Sequence, residues 1–186
     1  GTEVVAINRG RDGIEVRDHR GDCDTFDHVI VATHTDEALA MLTDATPHEE
    51  DVLGRIRFST NIAYLHRDPR LMPKRRHAWA AWNFLRWPRH AHTLNDMAVT
   101  YWMNELQRID NAYPVFVSLN PPFEPDPALT FGRYVYDHPL YDHAAFAAQE
   151  QLPLIQGHRN TWFCGAWTGY GFHEDGLRSG LQIARA

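Results

Sequence analysis

The chain has 186 residues, a formal net charge of −6, 44% hydrophobic and 23% charged residues. That is enough for one domain with a real core, or two small ones, in an ordinary globular composition. The acidic balance argues against a nucleic-acid partner, no apolar run approaches the length of a membrane span, and two cysteines make no disulfide framework.

Residues 4–33 read as three or four short strands. Residues 4–7 are followed by the turn-rich Asn8-Arg9-Gly10-Arg11-Asp12-Gly13, a hairpin connection. Ile14-Glu15-Val16-Arg17 alternates apolar and polar, as a half-buried strand does, and Arg20-Gly21-Asp22 marks a second turn. Residues 27–33, centred on Val29-Ile30-Val31, form an apolar run of the kind found in parallel strands covered on both faces.

Thr35 is then expected to cap a short helix carrying Asp36 and Glu37 in its first turn. Thr46-Pro47-His48-Glu49 is a second start signal, with capping-box spacing and proline at the first helical position. From residue 57 to about 140 the character changes. Strands are expected at 60–66, 78–85, 98–103, 115–119 and 134–136, broken by Asp68-Pro69, Met72-Pro73, Trp87-Pro88, Tyr113-Pro114 and Asn120-Pro121. This pattern predicts a mostly antiparallel sheet. An alanine-rich helix is expected from 142 to about 152.

The end of the chain is the most informative part. Thr161-Trp162-Phe163-Cys164 reads as a buried strand, and Gly165, Gly169 and Gly171 punctuate the loop that follows. A helix then carries small residues at 176, 179, 180 and 184, with Asp175 as its expected N-cap. A helix N-terminus aimed by a glycine loop offers unpaired N–H groups and partial positive charge to an electron-rich ligand.

Phe163-Cys164-Gly165-Ala166-Trp167 and Gly171-Phe172-His173-Glu174-Asp175-Gly176-Leu177-Arg178-Ser179-Gly180 resemble the C-terminal flavin-contacting motif of the flavin-containing amine oxidase superfamily, in particular its bacterial FAD-dependent oxidoreductases. The resemblance implies FAD, hydride transfer from substrate to flavin N5, and a substrate domain inserted between two FAD-domain segments. It places Gly165, Ala166, Trp167, Glu174, Asp175, Gly176 and Leu177 beside the flavin, with the amides of 176 and 177 facing its O2. Trp167 either stacks there or fills the core. Ala166 departs from the acidic residue that many amine oxidases carry, so that contact is missing. Val5 matches a position whose backbone contacts the adenine, or is simply a packed strand residue. His173 adjoins the motif, and Lys74, the single lysine, is a second weak catalytic candidate set in an expected exposed turn. His90 and His92 have metal-ligand spacing but no completing residue, and no metal is expected.

The expected fold class is α+β: a mostly antiparallel substrate-domain sheet with helices, plus a partial FAD-domain segment. Residues 1–56 and 158–186 are read as FAD-domain pieces flanking a substrate domain at 57–157. Strands 29–33 and 161–165 should lie parallel and side by side. The principal Gly-x-Gly-x-x-Gly unit is absent, so the chain reads as a C-terminal fragment, inactive alone and without tightly bound FAD, whose exposed sheet edge invites self-association. Trp79, Trp82, Trp87 and Trp102 form an apolar substrate wall or fill the core, and a hydrophobic small-molecule substrate is one expectation from them. Cysteine usage points to a cytoplasmic setting. The alternative is a non-catalytic ligand-binding or association domain derived from such an enzyme.

Overall fold

A computed structural model describes residues 1–86 and 97–185. In chain order the elements are β1 (Val4–Arg9), β2 (Ile14–Asp18), β3 (Cys23–Phe26), β4 (Val29–Val31), α1 (Thr35–Met41), α2 (Pro47–Gly54), β5 (Phe58–His66), β6 (Trp82–Arg86), β7 (Met97–Trp102), α3 (Met103–Gln107), β8 (Phe116–Leu119), β9 (Thr130–Pro139), α4 (His143–Gln151), β10 (Thr161–Phe163) and α5 (His173–Ile183). They form an α+β fold. The chain divides into two compact units, residues 1–59 with 138–186, and residues 60–137. The helix α4, expected with the middle region, therefore belongs to the first unit.

In the first unit β1, β2 and β3 form an antiparallel meander, and β4 pairs with β10 in parallel, Thr161 against Val29 and Phe163 against Val31. Two strands more than a hundred residues apart thus meet as expected. The Gln156 side chain donates to the Phe163 carbonyl at 2.6 Å and accepts from the Phe163 N–H at 2.8 Å, satisfying both backbone groups of that residue. Ile7, Ile14, Val31, Leu53, Ile155 and Phe163 build the core, each stabilising it by roughly 1.5–3 kcal/mol relative to exposure. Ala145 and Ala148 of α4 are fully buried in it, where larger side chains would hold the helix away.

The capping box at 46–49 forms: Thr46 Oγ1 accepts from the Glu49 N–H at 3.2 Å, and Glu49 accepts from the Thr46 N–H at 2.8 Å. Glu49 is also fully buried, and both its oxygens face the buried Arg9 guanidinium. Arg9 turns its Nε to Asp44 at 2.9 Å, and Arg159 reaches Asp44 at 2.6 Å. This network ties β1 to the start of α2. The helix α1 starts one residue earlier than expected: His34 is its N-cap, while Thr35 is buried and donates to the Ile56 carbonyl at 3.1 Å.

The second unit holds a five-stranded sheet in the order β6-β7-β8-β5-β9. The register places Asn83 opposite Thr100, Thr100 opposite Ser118 and Ser118 opposite Tyr64 on one face. The other face carries Trp82, Phe84, Val99, Tyr101, Val117 and Leu65. Through the first face runs a buried chain: His66 Nε2 meets Ser118 Oγ at 2.8 Å, which meets Thr100 Oγ1 at 2.7 Å. His66 Nδ1 accepts from the Asp68 N–H at 3.1 Å, which fixes the proton of a neutral ring on Nε2.

The strand expected at 78–85 begins only at Trp82, because Arg76–Ala78 form a 3-10 turn and Asn83 folds back on Ala80, Nδ2 to the carbonyl at 2.6 Å. The strand expected to reach 103 gives way to α3, whose buried Asn104 donates to the carbonyls of Asp110 and Tyr113 and accepts from the Val115 N–H. The tryptophans divide between the faces. Trp79 and Trp102 meet edge to face at 5.4 Å, and Trp79 packs on buried Phe116, while Trp82 is 60% exposed against Tyr101. Trp87 lies outside the described residues.

Candidate flavin-side loop and helix

The candidate site lies in the first unit, where β10 ends. Gly165 follows at φ 152°, and a Cβ there would stand 2.6 Å from the Trp167 indole nitrogen. Only glycine accepts that backbone and that approach. Trp167 is buried in the core and donates its Nε1–H to the Thr33 carbonyl at 3.0 Å, fastening the loop to the residues after β4. Its ring therefore packs inward rather than lying open for stacking. Gln149 of α4 donates to the carbonyls of Trp167 and Gly169 at 2.8 and 2.7 Å. Ser179 accepts from the Gly165 N–H at 3.0 Å and donates to the Gly176 carbonyl at 2.8 Å, tying α5 to the strand end.

The loop 169–172 is held from two sides. Asp175 Oδ2 accepts from the N–H groups of Tyr170 and Phe172 at 3.0 and 3.1 Å. Tyr141 sits under Gly171, whose φ is 86°, and a Cβ at 171 would fall 2.7 Å from the Tyr141 hydroxyl. That hydroxyl is buried and meets no hydrogen-bond partner among the described residues. Burial, with the Asp175 charge nearby, pushes its pKa up to about 12.

Phe172, not Asp175, is the N-cap residue of α5, and Asp175 stands third in the helix, reaching back to the loop. The expectation of an Asp175 cap is thus corrected: the sequence has the right carboxylate for the helix start but not the right position. The shift matters for the amides. Gly176 and Leu177 lie in the helix body, and the Gly176 N–H donates to the Phe172 carbonyl at 3.3 Å. The N–H groups of His173 and Glu174, first in the helix, have no acceptor among the described residues. They carry the positive end of the helix dipole. Because Asp175 spends its charge on loop amides, Glu174 is the acid left exposed there. The side chains of Tyr170, Phe172 and Leu177 are 68, 61 and 58% exposed.

Val5 lies in the same unit. The β1–β2 register shifts between Val4 and Ala6, so Val5 stands at a bulge and is 42% exposed. It lines a groove of about 590 Å3 with Thr2, Glu3, Thr33, Glu37 and Met41. Ala166 is half-buried in the turn after Gly165, and His173 is exposed at the helix start. Lys74 is exposed in the second unit, between two 3-10 turns. His90 and His92 lie outside the described residues. Sequence reasoning passed over Tyr141, Gln149 and Gln156, none of which belongs to a local motif, and read Ser179 only as a small residue of the motif; Gln149, Gln156 and Ser179 each act on a backbone group brought near by the fold.

Among the described residues no helix is long and apolar enough to cross a membrane. No family model matches the chain, and no curated protein matches it. Solved structures do. A fatty acid isomerase from P. acnes that produces CLA superposes with a TM-score of 0.63 at 11% identity, over 99% of this chain and 47% of that one. A reduced UDP-galactopyranose mutase gives 0.56 at 13% identity, over 92% and 42%. An Exiguobacterium protein assigned as a protoporphyrinogen oxidase gives 0.53 at 12% identity, over 99% and 46%. At such identities the likeness is one of fold, and the chain spans less than half the length of each of these structures.

Proposed function

We propose that this chain is the C-terminal part of an FAD-dependent, amine oxidase-like oxidoreductase, the first unit seating the flavin and the second providing the substrate-binding sheet. The observation that carries this reading is the N-terminus of α5, where two N–H groups have no acceptor among the described residues and the neighbouring Tyr170, Phe172 and Leu177 of the loop and first turns are exposed. That setting suits the electron-rich edge of a flat ring system. The Val5 groove offers the same unit a place for an adenine. The fold likeness to an oxidase and to a mutase described in its reduced state supports a redox parent.

Bound flavin supplies the two-electron acceptor chemistry. The chain's own residues orient it and set its charge preference. The amides of His173 and Glu174 favour negative charge at the bound edge, Glu174 opposes it, and Asp175 with Tyr141 keeps the loop in place. The apolar sheet face bearing Trp82, Phe84 and Tyr101 suits a hydrophobic substrate. Free Cys23 and Cys164 fit a reducing, cytoplasmic setting.

The sequence contains no Gly-x-Gly-x-x-Gly turn to grip the ADP half of the cofactor, so the chain by itself is expected neither to retain FAD nor to turn over. The test is to express the reading frame extended upstream of Gly1. A yellow protein whose flavin is reduced by a hydrophobic substrate, beside a colourless 186-residue chain, is the expected pair. Stoichiometric FAD in the short chain would overturn the account of the missing unit. A colourless extended protein would overturn the flavin reading and favour the non-catalytic alternative.

A further inference from the structure

The strand β9 is the outer member of the second unit's sheet, ten residues long. Phe131, Tyr134, Val135 and Tyr136 are between 45 and 58% exposed. A long, apolar outer strand is a template for another strand unless lysine, proline or a bulge blunts it. Between residues 133 and 137 the charged residues are Arg133 and Asp137, opposite in sign and four apart.

We propose that β9 pairs with β9 of a second copy, antiparallel about a twofold axis at Val135. Two identical antiparallel strands pair residues whose numbers have a constant sum. Because bonded and non-bonded pairs alternate along the ladder, a twofold permits only even sums. Centred on Val135, Arg133 faces Asp137 of the second copy at both ends, Tyr134 faces Tyr136, and Val135 faces itself. Centred on 134 instead, Arg133 faces Val135 and Asp137 faces Phe131. Centred on 136, Arg133 faces Pro139 and Asp137 faces Val135. Among these neighbouring registers, the one at 135 matches both charges and both tyrosines.

The strand is anchored beside β5 at both ends: Leu140 donates its N–H to the Arg57 carbonyl at 2.7 Å, and the Leu129 carbonyl accepts from the Arg67 N–H at 2.8 Å. Pro139 lies outside the 133–137 centre of the proposed pairing. Arg133 also lies beside the Tyr64 hydroxyl, which donates to Glu124 at 2.7 Å.

Light scattering coupled to size exclusion, over a concentration series, reads the outcome against the 21.4 kDa monomer mass. Wild type should reach twice that mass. Arg133→Asp and Asp137→Arg should each raise the dimer dissociation constant at least tenfold, and the double reversal should restore it. Val135→Lys, which sets two ammonium groups against each other on the axis, should dissociate the dimer without touching the Arg133–Tyr64 contact. A monomer at every concentration would overturn the proposal. So would a dimer indifferent to all these changes, the behaviour expected of association through β4. Because the proposal does not rest on flavin, it stands or falls separately from the functional reading.

Discussion

The two units bury polar groups by different means. The first encloses charge: Arg9 and Glu49 are 3 and 0% exposed, and Asp44, Thr46 and Arg159 complete their hydrogen bonds. The second encloses a neutral chain, His66 to Ser118 to Thr100, and its buried carboxylate, Asp68, is paired with an Arg70 side chain that stays exposed. A buried ion pair resists removal of one partner, because the other is left charged and dry. A buried neutral histidine resists addition of a proton. The units should therefore fail under different insults.

The largest effect is expected from Arg9→Met, which leaves Glu49 without its cation and should cost about 3–5 kcal/mol in chemical denaturation. The double change Arg9→Met, Glu49→Met should recover most of that loss, since two apolar side chains need no pairing. If the double variant is no better than the single, the cost lies in packing rather than in stranded charge.

Acid should sharpen the contrast. Burial pushes the His66 pKa down to about 4 from 6.5, against the smaller opposing influence of Asp68. Below pH 6.5 the unfolded chain takes up a proton that the folded chain refuses. Stability from this group is thus complete above pH 6.5 and is lost as the pH falls towards 4, about 3 kcal/mol in all. For Glu49 burial opposes ionisation, but the hydrogen bonds and charge of Arg9 and the Thr46 contacts outweigh it and lower its pKa. That contribution is present above the ordinary carboxylate range and is lost only as the pH falls through the lowered folded value. Hydrogen exchange, corrected for intrinsic rates, should show β7 and β8 losing protection by pH 5 while β1 and α2 keep theirs. The reverse order would break the comparison.

The smallest effect is expected at Tyr141. Its hydroxyl meets no partner among the described residues, so Tyr141→Phe should move stability by no more than about 0.5 kcal/mol in a thermal melt. A loss well beyond that would mean the hydroxyl has a partner in solution.

What was legible in the sequence was local. The capping box at 46–49 needs only residues three apart, and it forms as read. The parallel meeting of strands 29–33 and 161–165 followed from the flavin-motif resemblance rather than from any short-range signal. What was not legible depended on distant partners. Nothing near Glu49 announces that Arg9, forty residues away, will draw it into the core. Trp167 had two open readings; its ring is buried in the core and its Nε1–H is held by Thr33, 134 residues away along the chain. Asp175 was recognised as a helix-start residue, but its exact place waited on where the loop ended. The span of β9 went unread because its alternation is blurred by exposure on both faces.

Gln156 gives the small parallel sheet a direction. By spending its amide on Phe163, it acts as a stopper one residue wide, closing the side of β10 turned away from β4. Any further strand must therefore be admitted beside β4. The sheet can lengthen at one margin and not at the other, so an added strand would complete it without seeding a continuous ribbon.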